Sequence, residues 1–343
     1  MAATIKDVAR EAGVSISTVS KVLNEWTTIS PPTVLRVKEA ISRLNYTPNA
    51  RAVSFAKQTT RNIVFLTSLE KEEAYKNPHM FDIMCGVNNE LSKNNYTMTL
   101  SDTSAESYPG ETVERVLNKK GADGMVVHGS AINKETASLL IKEQFPHIII
   151  GHPGFENQLC WVDTNHALAG QYAALHMINC GYKNIAFIGG RKTDNISMQR
   201  LKGFLGTMQE YGYFVPTSMV CYTDSSVEES YQALKNLMKD TSNPPRAIIC
   251  SSNTIAVGVV KGIQELGLQV PNDIAFLTFD KYPYSKIIDP SPTVVDVNVY
   301  DIGVQAGTMI LNKIKNPSMQ IQSYTTLPVI ELGATTVLKG KEK

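Results

Sequence analysis

The sequence predicts an α/β protein: an all-α head followed by two doubly wound lobes, each a parallel sheet with helices on both faces. Three observations point there. The first 47 residues carry helix signals and no strand-like run. From residue 62 onward, continuous apolar runs alternate with helical patterns, as expected for strands that crossover helices bury on both faces. A length of 343 residues exceeds what one hydrophobic core serves, so two or three domains are expected. With 43% apolar and 19% charged residues, the composition is that of an ordinary globular chain.

The head is organised around Thr4–Asn24. Ile5, Val8, Ala9 and Ala12 recur at helical spacing, while Lys6, Asp7, Arg10 and Glu11 take the wet face. Thr4 is placed to cap this helix, and Asp7 suits the positive end of its dipole. Gly13 supplies the turn and Ser15 caps a second helix. Val14, Val19, Val22 and Leu23 can then face the first helix, leaving Ile16, Ser17, Ser20 and Lys21 outside. Ser30-Pro31 opens a third helix, with a cap followed by proline at the first helical position. Val34, Val37, Ala40, Ile41 and Leu44 form its apolar stripe. The unit reads as a helix-turn-helix, whose second helix fits a DNA major groove. Ile16 suits a thymine methyl, and Ser17 and Lys21 suit base edges. Thr4, Ser15, Thr18, Asn24 and Ser30 sit where small polar groups hold phosphates.

Charge agrees. Residues 1–61 hold nine Lys/Arg against four acids, and the remainder holds 24 against 28, so a net charge of +1 conceals a basic head on a mildly acidic body. That distribution serves phosphate binding without making the whole protein adhesive.

The runs Ile5-Lys-Asp-Val-Ala-Arg-Glu-Ala-Gly-Val-Ser15 and Ser17-Thr-Val-Ser-Lys-Val-Leu-Asn24 resemble the head of the LacI/GalR family of bacterial transcriptional regulators. The resemblance is dense over about 50 residues and looser to the end of the chain. It implies a homodimer on a pseudo-palindromic double-stranded DNA operator, acting in the cytoplasm at the nucleoid. It also implies that residues 48–61 are a hinge helix and linker. The segment Asn49–Ala56 is too short to be a stable helix alone. In the family it pairs with its copy and wedges apart a base step in the minor groove. Asn49 belongs to it; Phe55 stands where leucine is usual, and Val53 where arginine is usual.

The predicted strands of the core are Ile63–Leu69, Thr97–Ser101, Gly124–His128, His147–Gly151, Ile185–Gly189, Met219–Tyr222, Ala247–Ser251 and Ile274–Phe279. Helices are predicted between them: Met80–Lys93, Glu111–Lys119, Lys134–Glu143, Ala167–Cys180, Met198–Tyr211, Val227–Lys239 and Asn253–Leu266. The pattern divides near Val162–Asp163. The resemblance, which extends to a periplasmic-binding-protein-like core, implies three crossings between lobes. The first lobe is expected over about 62–162 and 292–323, the second over about 163–291 and 324–340.

Open parallel sheets bind ligands beyond the carboxyl ends of their strands, and two facing lobes make a cleft. Candidates for a small effector, a sugar or related metabolite, are therefore the stretches Asn77–Met80, Asp194–Arg200, Asp224-Ser225 and Asn253-Thr254 with Asp102, His128, Asp163 and Asp280; among the stretches His79, Met80, Arg200, Ser225 and Asn253 stand foremost. Arg200, in Arg200-Leu-Lys-Gly-Phe204, matches the family's Arg-x-x-Gly-Phe, whose fork of donors suits hydroxyls or a carboxylate. Asp280 matches an aspartate that often accepts hydrogen bonds from the effector. Where the family often has Asn-Pro-Phe-Phe this chain has Asn77-Pro-His79-Met80, Ser225 stands for a common aromatic, and Asn253-Thr254 replaces Asn-Asp. These departures leave open a vestigial cleft controlled by a protein corepressor.

Other classes are disfavoured. No run of eighteen apolar residues and no charged-then-apolar leader suggests a membrane partner. A solute-binding protein for transport would have a leader and no DNA head. Cys85, Cys160, Cys180, Cys221 and Cys250 lack metal-ligand spacing and read as reduced thiols, so no metal is expected. Gly-x-Ser-x-Gly and Gly-x-x-x-x-Gly-Lys-Ser/Thr do not occur, and neither an enzyme nor a cofactor is expected.

Overall fold

Three short helices begin the chain: α1 (Ile5–Ala12), α2 (Ile16–Leu23) and α3 (Pro31–Arg43). The computed structural model describes residues 3–24, 26, 28–47, 59–69, 79–155, 158–239, 243–281, 288–320 and 322–336. Two units separate at Arg61/Asn62. In the first, Val8, Ala9, Ala12, Val19, Val22, Val37 and Ala40 form one buried cluster. Asp7 accepts the Thr4 backbone N–H at 3.0 Å and the Thr4 hydroxyl at 2.7 Å. These bonds fasten the start of α1 and hold the Asp7 carboxyl below its usual range. Gly13 ends α1 at φ +62°, a backbone state that costs glycine little and other residues more. The Ser15 hydroxyl accepts the Thr18 N–H at 3.1 Å and so caps α2. Ser30 caps α3 through its backbone, while its hydroxyl pairs with Thr33 Oγ1 at 3.0 Å. Arg43 bridges to Glu11 at 3.1 Å and fastens α3 to α1. The expected hinge residues Asn49, Val53 and Phe55 lie outside the described residues, as does Asn77.

The second unit contains two six-stranded sheets. The first is built from β1 (Asn62–Thr67), β2 (Thr97–Asp102), β3 (Gly124–His128), β4 (His147–Ile150), β5 (Trp161–Thr164) and, from far along the chain, β11 (Ser323–Thr326). Its order is β11-β5-β4-β3-β1-β2, parallel throughout. Alternate residues of β1 face opposite ways. Ile63 and Phe65 pack with α4 (His79–Lys93) and α11 (Val299–Lys315). Val64 and Leu66 pack with α5 (Glu111–Lys119) and α6 (Lys134–Lys142). Burial on both faces explains the unbroken apolar runs.

The second sheet runs β12-β10-β9-β8-β6-β7, from β6 (Ile185–Gly189), β7 (Val220–Tyr222), β8 (Ala247–Cys250), β9 (Ala275–Phe279), β10 (Thr293–Asp296) and β12 (Val329–Glu331). All its pairings are parallel except β10–β12. One face carries α7 (His166–Asn179) and α8 (Asn195–Glu210), the other α9 (Val227–Lys239) and α10 (Asn253–Glu265). Helices α7 and α8 touch backbone to backbone, since a Cβ added at Gly203 would lie 1.9 Å from the Ala167 carbonyl oxygen.

The crossings fall later than expected. The return to the first lobe, expected at about residue 292, follows Asp296, because Thr293–Val295 pair in register with Leu277–Phe279 of β9. The last crossing follows Thr326 rather than residue 323, because Ser323–Thr326 pair with Trp161–Thr164. For the same reason the first crossing follows Thr164. All three meet at one side chain: Thr164 Oγ1 lies 2.7 Å from Thr326 Oγ1 and 3.5 Å from the Val297 carbonyl oxygen. The sequence pattern does not predict the segments β5, β10, β11, β12 and α11. Short strands whose edges face solvent show little apolar run, as the exposed residues of β11 illustrate.

Candidate nucleic-acid interface and interlobe ligand site

On the head, α2 turns Val19 and Val22 inward and leaves Ile16 44% exposed, with Ser17 beside it. A large aliphatic side chain open to water at a helix start costs burial energy, and contact with another surface would recover it. Ser20 and Lys21 are half-exposed on the same face, and Lys21 Nζ lies 5.8 Å from the centre of the Trp26 ring. Thr18 Oγ1 pairs with Ser15 Oγ at 2.9 Å, and Asn24 Nδ2 donates to the Ser20 carbonyl at 2.8 Å, closing α2. Thr4, Ser15 and Ser30 are exposed at helix starts.

In the core, the strand ends of the second sheet gather a polar cluster. Arg200, on α8, is 3% exposed; its Nη1 donates to the Ser251 carbonyl at 2.7 Å and its Nη2 to Asp280 Oδ2 at 3.4 Å. The guanidinium lies over the Phe279 ring, 4.2 Å from its centre. Asp280 follows β9 at φ +70°, and Asn253 Nδ2 donates to its carbonyl at 2.9 Å. From the first lobe, His79 at the start of α4 brings Nε2 to 3.6 Å from Asp280 Oδ2. The two lobes therefore meet at this carboxylate. Two complementary atoms here are buried without a hydrogen-bond partner among the described residues: the donor Arg200 Nε and the acceptor Asp280 Oδ1. A buried polar atom left unmatched costs about 1–3 kcal/mol.

Met80 and His128 join through a chain of contacts. Thr67 Oγ1 reaches Met80 Sδ at 3.2 Å and Ser130 Oγ at 3.2 Å, and Ser130 Oγ pairs with His128 Nδ1 at 2.9 Å. Ser225, at φ +68°, donates its N–H to Thr223 Oγ1 at 3.1 Å. The other two predicted residues are occupied by their own loops. Asp102 accepts from Leu69 N, Ser104 N and Ser104 Oγ at 2.8, 2.9 and 2.6 Å. Asp163 accepts from His152 N at 2.8 Å and Thr164 N at 2.7 Å, and pairs with His166 Nε2 at 3.2 Å. Those hydrogen bonds hold both carboxyls below the usual range although burial opposes it.

Sequence reasoning missed Ser251 and Phe279, and covered Ser197 only as part of the 194–200 stretch. Ser197 Oγ accepts the Gly190 N–H at 2.8 Å and donates to Ser251 Oγ at 3.3 Å. A signal existed for Ser197: it stands one turn before Arg200 on the same helical face. The partners of Ser251 and Phe279 come from distant segments and left none.

Burial pushes His128 down to about 4, whereas in the unfolded chain it titrates near 6.5. Between those values the unfolded state holds a proton that the folded state refuses. The stability this group contributes is present above pH 6.5 and is lost as pH falls toward 4. Chemical denaturation at stepped pH is expected to show a shallower decline over that window for His128→Asn; an unchanged slope would refute the assignment.

Residues 4–49 match the family described as bacterial regulatory proteins, lacI family, and residues 174–336 match a periplasmic binding protein-like domain. The HTH-type transcriptional repressor PurR of Actinobacillus pleuropneumoniae serotype 3 (strain JL03) is 30% identical over 323 residues, 94% of either chain. PurR of Pasteurella multocida (strain Pm70) is 30% identical over 319 residues, 92% of this chain and 93% of its own. Among solved structures, the lac repressor dimer bound to operator and the anti-inducer ONPF superposes with a TM-score of 0.81 at 19% identity, covering 98% of this chain and 100% of that one. The transcriptional regulator CelR in complex with cellobiose gives 0.72 at 22% identity, covering 97% and 99%. At those identities the two structures show a shared fold. The relatives similar along nearly their whole length carry the stronger conclusion: the chain belongs to the lacI family of bacterial regulatory proteins.

Proposed function

We propose that this protein is a transcriptional repressor that binds an inverted-repeat operator as a homodimer and responds to a small polar effector held between its lobes. The head supplies the recognition surface. Ile16, Ser17 and Lys21 read bases, while Thr4, Ser15, Thr18, Asn24 and Ser30 set register on phosphates. By resemblance, Asn49, Val53 and Phe55 work in the minor groove. Repression is the activity named for the PurR relatives, and the dimer on operator DNA is that of the lac repressor structure. Such a protein acts in the cytoplasm, where the chromosome is.

The observation that carries the effector reading is the pair of orphaned atoms, Arg200 Nε and Asp280 Oδ1. A ligand with both a donor and an acceptor, such as a hydroxyl compound, satisfies both. His79, Met80, His128, Ser225 and Asn253 would surround it. A vestigial cleft under corepressor control gives no reason to keep a buried donor and acceptor that lack partners among the described residues, so the working pocket is favoured. Binding at a point where His79 of one lobe meets Asp280 of the other shifts the lobe equilibrium by its differential affinity for the two arrangements.

Selection of bound sequences from random DNA tests the operator: an inverted repeat is expected, and no enrichment over bulk DNA would refute the reading. Thermal shift against a metabolite library tests the effector, since a ligand of the folded state raises the melting temperature. Lys21→Ala is expected to weaken specific binding by about 1–3 kcal/mol and to relax preference at one base pair. Equal loss on specific and random DNA in a binding titration would assign Lys21 to phosphate instead.

A further inference from the structure

A cavity of about 970 Å³ lies at the crossing edge of the lobes and shares no lining residue with the Arg200–Asp280 cluster. Its walls come from both lobes: Trp161 of β5 and Thr325 of β11 on one side, Asn195 and Gln199 of α8 on the other. Phe155 and His166 also line it. We propose that this cavity is an accessory binding site for a neutral polyhydroxyl compound of mono- or disaccharide size.

The charge of its lining argues first. No lysine or arginine contributes to it among the described residues, so a phosphate or carboxylate finds no permanent cation to pair with. Asp163, the one carboxylate among the described lining residues, is already engaged by the His152 and Thr164 N–H groups and by His166, so among those residues a cation finds no free counter-charge either. A neutral ligand fits both facts.

The hydrogen-bonding groups argue second. The side-chain amides of Asn195 and Gln199 make no hydrogen bond with any described residue, and each offers both a donor and an acceptor. His166 is 8% exposed, and with Nε2 at Asp163 its Nδ1 is buried without a partner among the described residues. Ligand hydroxyls, which donate and accept at once, match such a set.

The aromatic surface argues third. Trp161 is half-exposed, and His152 braces it edge-on with ring centroids 4.8 Å apart. A fixed indole face in a polar cavity suits the C–H face of a sugar ring, which is apolar on one side and hydroxylated at its rim.

The test uses the full chain carrying Trp26→Phe, which leaves Trp161 as its one tryptophan. Its emission is titrated with maltose, cellobiose, sucrose and trehalose, with glucose 6-phosphate and gluconate as charged controls. At least one neutral sugar is expected to shift the emission saturably. That response should weaken roughly tenfold with Gln199→Ala or Asn195→Ala, as loss of a hydrogen bond at a binding contact predicts. Both α8 residues are exposed, and an unchanged melting temperature confirms that each variant folds. No saturable change with any of the four sugars overturns the proposal. A response to the charged compounds alone overturns its ligand class. A saturable response indifferent to both Gln199→Ala and Asn195→Ala places the sugar outside this cavity and refutes the site.

Discussion

Arg200→Met is expected to destabilise the core by about 3–5 kcal/mol, the cost of leaving one partner of a buried ion pair uncompensated. The same change should abolish any effector response. Arg200 and Asp280 are 3% and 6% exposed. Methionine keeps the aliphatic stem but removes the donors to Ser251 and Asp280 and the cation over Phe279. Asp280 then keeps His79, 3.6 Å away, as its remaining ion-pair partner among the described residues. The double variant Arg200→Met/Asp280→Asn is expected to recover part of the loss. It removes the stranded charge, and asparagine tolerates the φ of +70° at that position. Urea denaturation of the four proteins closes the cycle. Additive losses would show that the pair is not coupled, and the account of the cluster would fail.

Gly203→Ala is the second large effect, about 3 kcal/mol or more, at the upper end of overpacking. The added methyl would sit 1.9 Å from the Ala167 carbonyl oxygen and 2.9 Å from the Gln171 nitrogen, both backbone atoms. The opposing helix answers in kind, since a Cβ at Gly170 would meet the Arg200 carbonyl oxygen at 1.9 Å. Neither helix can yield without moving the other, and α8 carries Arg200. The control lies one turn on: a Cβ at Gly206 meets nothing within 4 Å. Gly206→Ala should therefore stabilise by about 0.5–1 kcal/mol through helix propensity alone. Opposite signs in thermal melts would confirm the close crossing; two stabilising substitutions would refute it.

The Arg-x-x-Gly-Phe motif takes on physical meaning from these contacts. Its arginine enters the cluster and its glycine admits α7. Its phenylalanine, Phe204, is fully buried and stacks on Phe187 with centroids 5.7 Å apart.

By itself the sequence determined what short-range physics encodes. The caps at Thr4 and Ser15, the turn at Gly13 and the inward stripe of Val19 and Val22 all follow from helical period and local hydrogen bonding, and they give the head and its outward face. The buried strands β1, β3, β6 and β8 were equally readable, because a strand covered on both faces must be apolar without interruption. Tertiary structure alone decided where the chain changes lobes, since Thr293–Asp296 joins its sheet through pairing with β9, a partner supplied by another segment. It also decided which carboxylates are free. Asp102, Asp163 and Asp280 all stand at strand ends, yet backbone amides of neighbouring loops occupy the first two, and Asp280 alone keeps a buried oxygen without a partner among the described residues. A residue's type and spacing state what its side chain can do, whereas the donors already spent on it are set by segments distant in sequence.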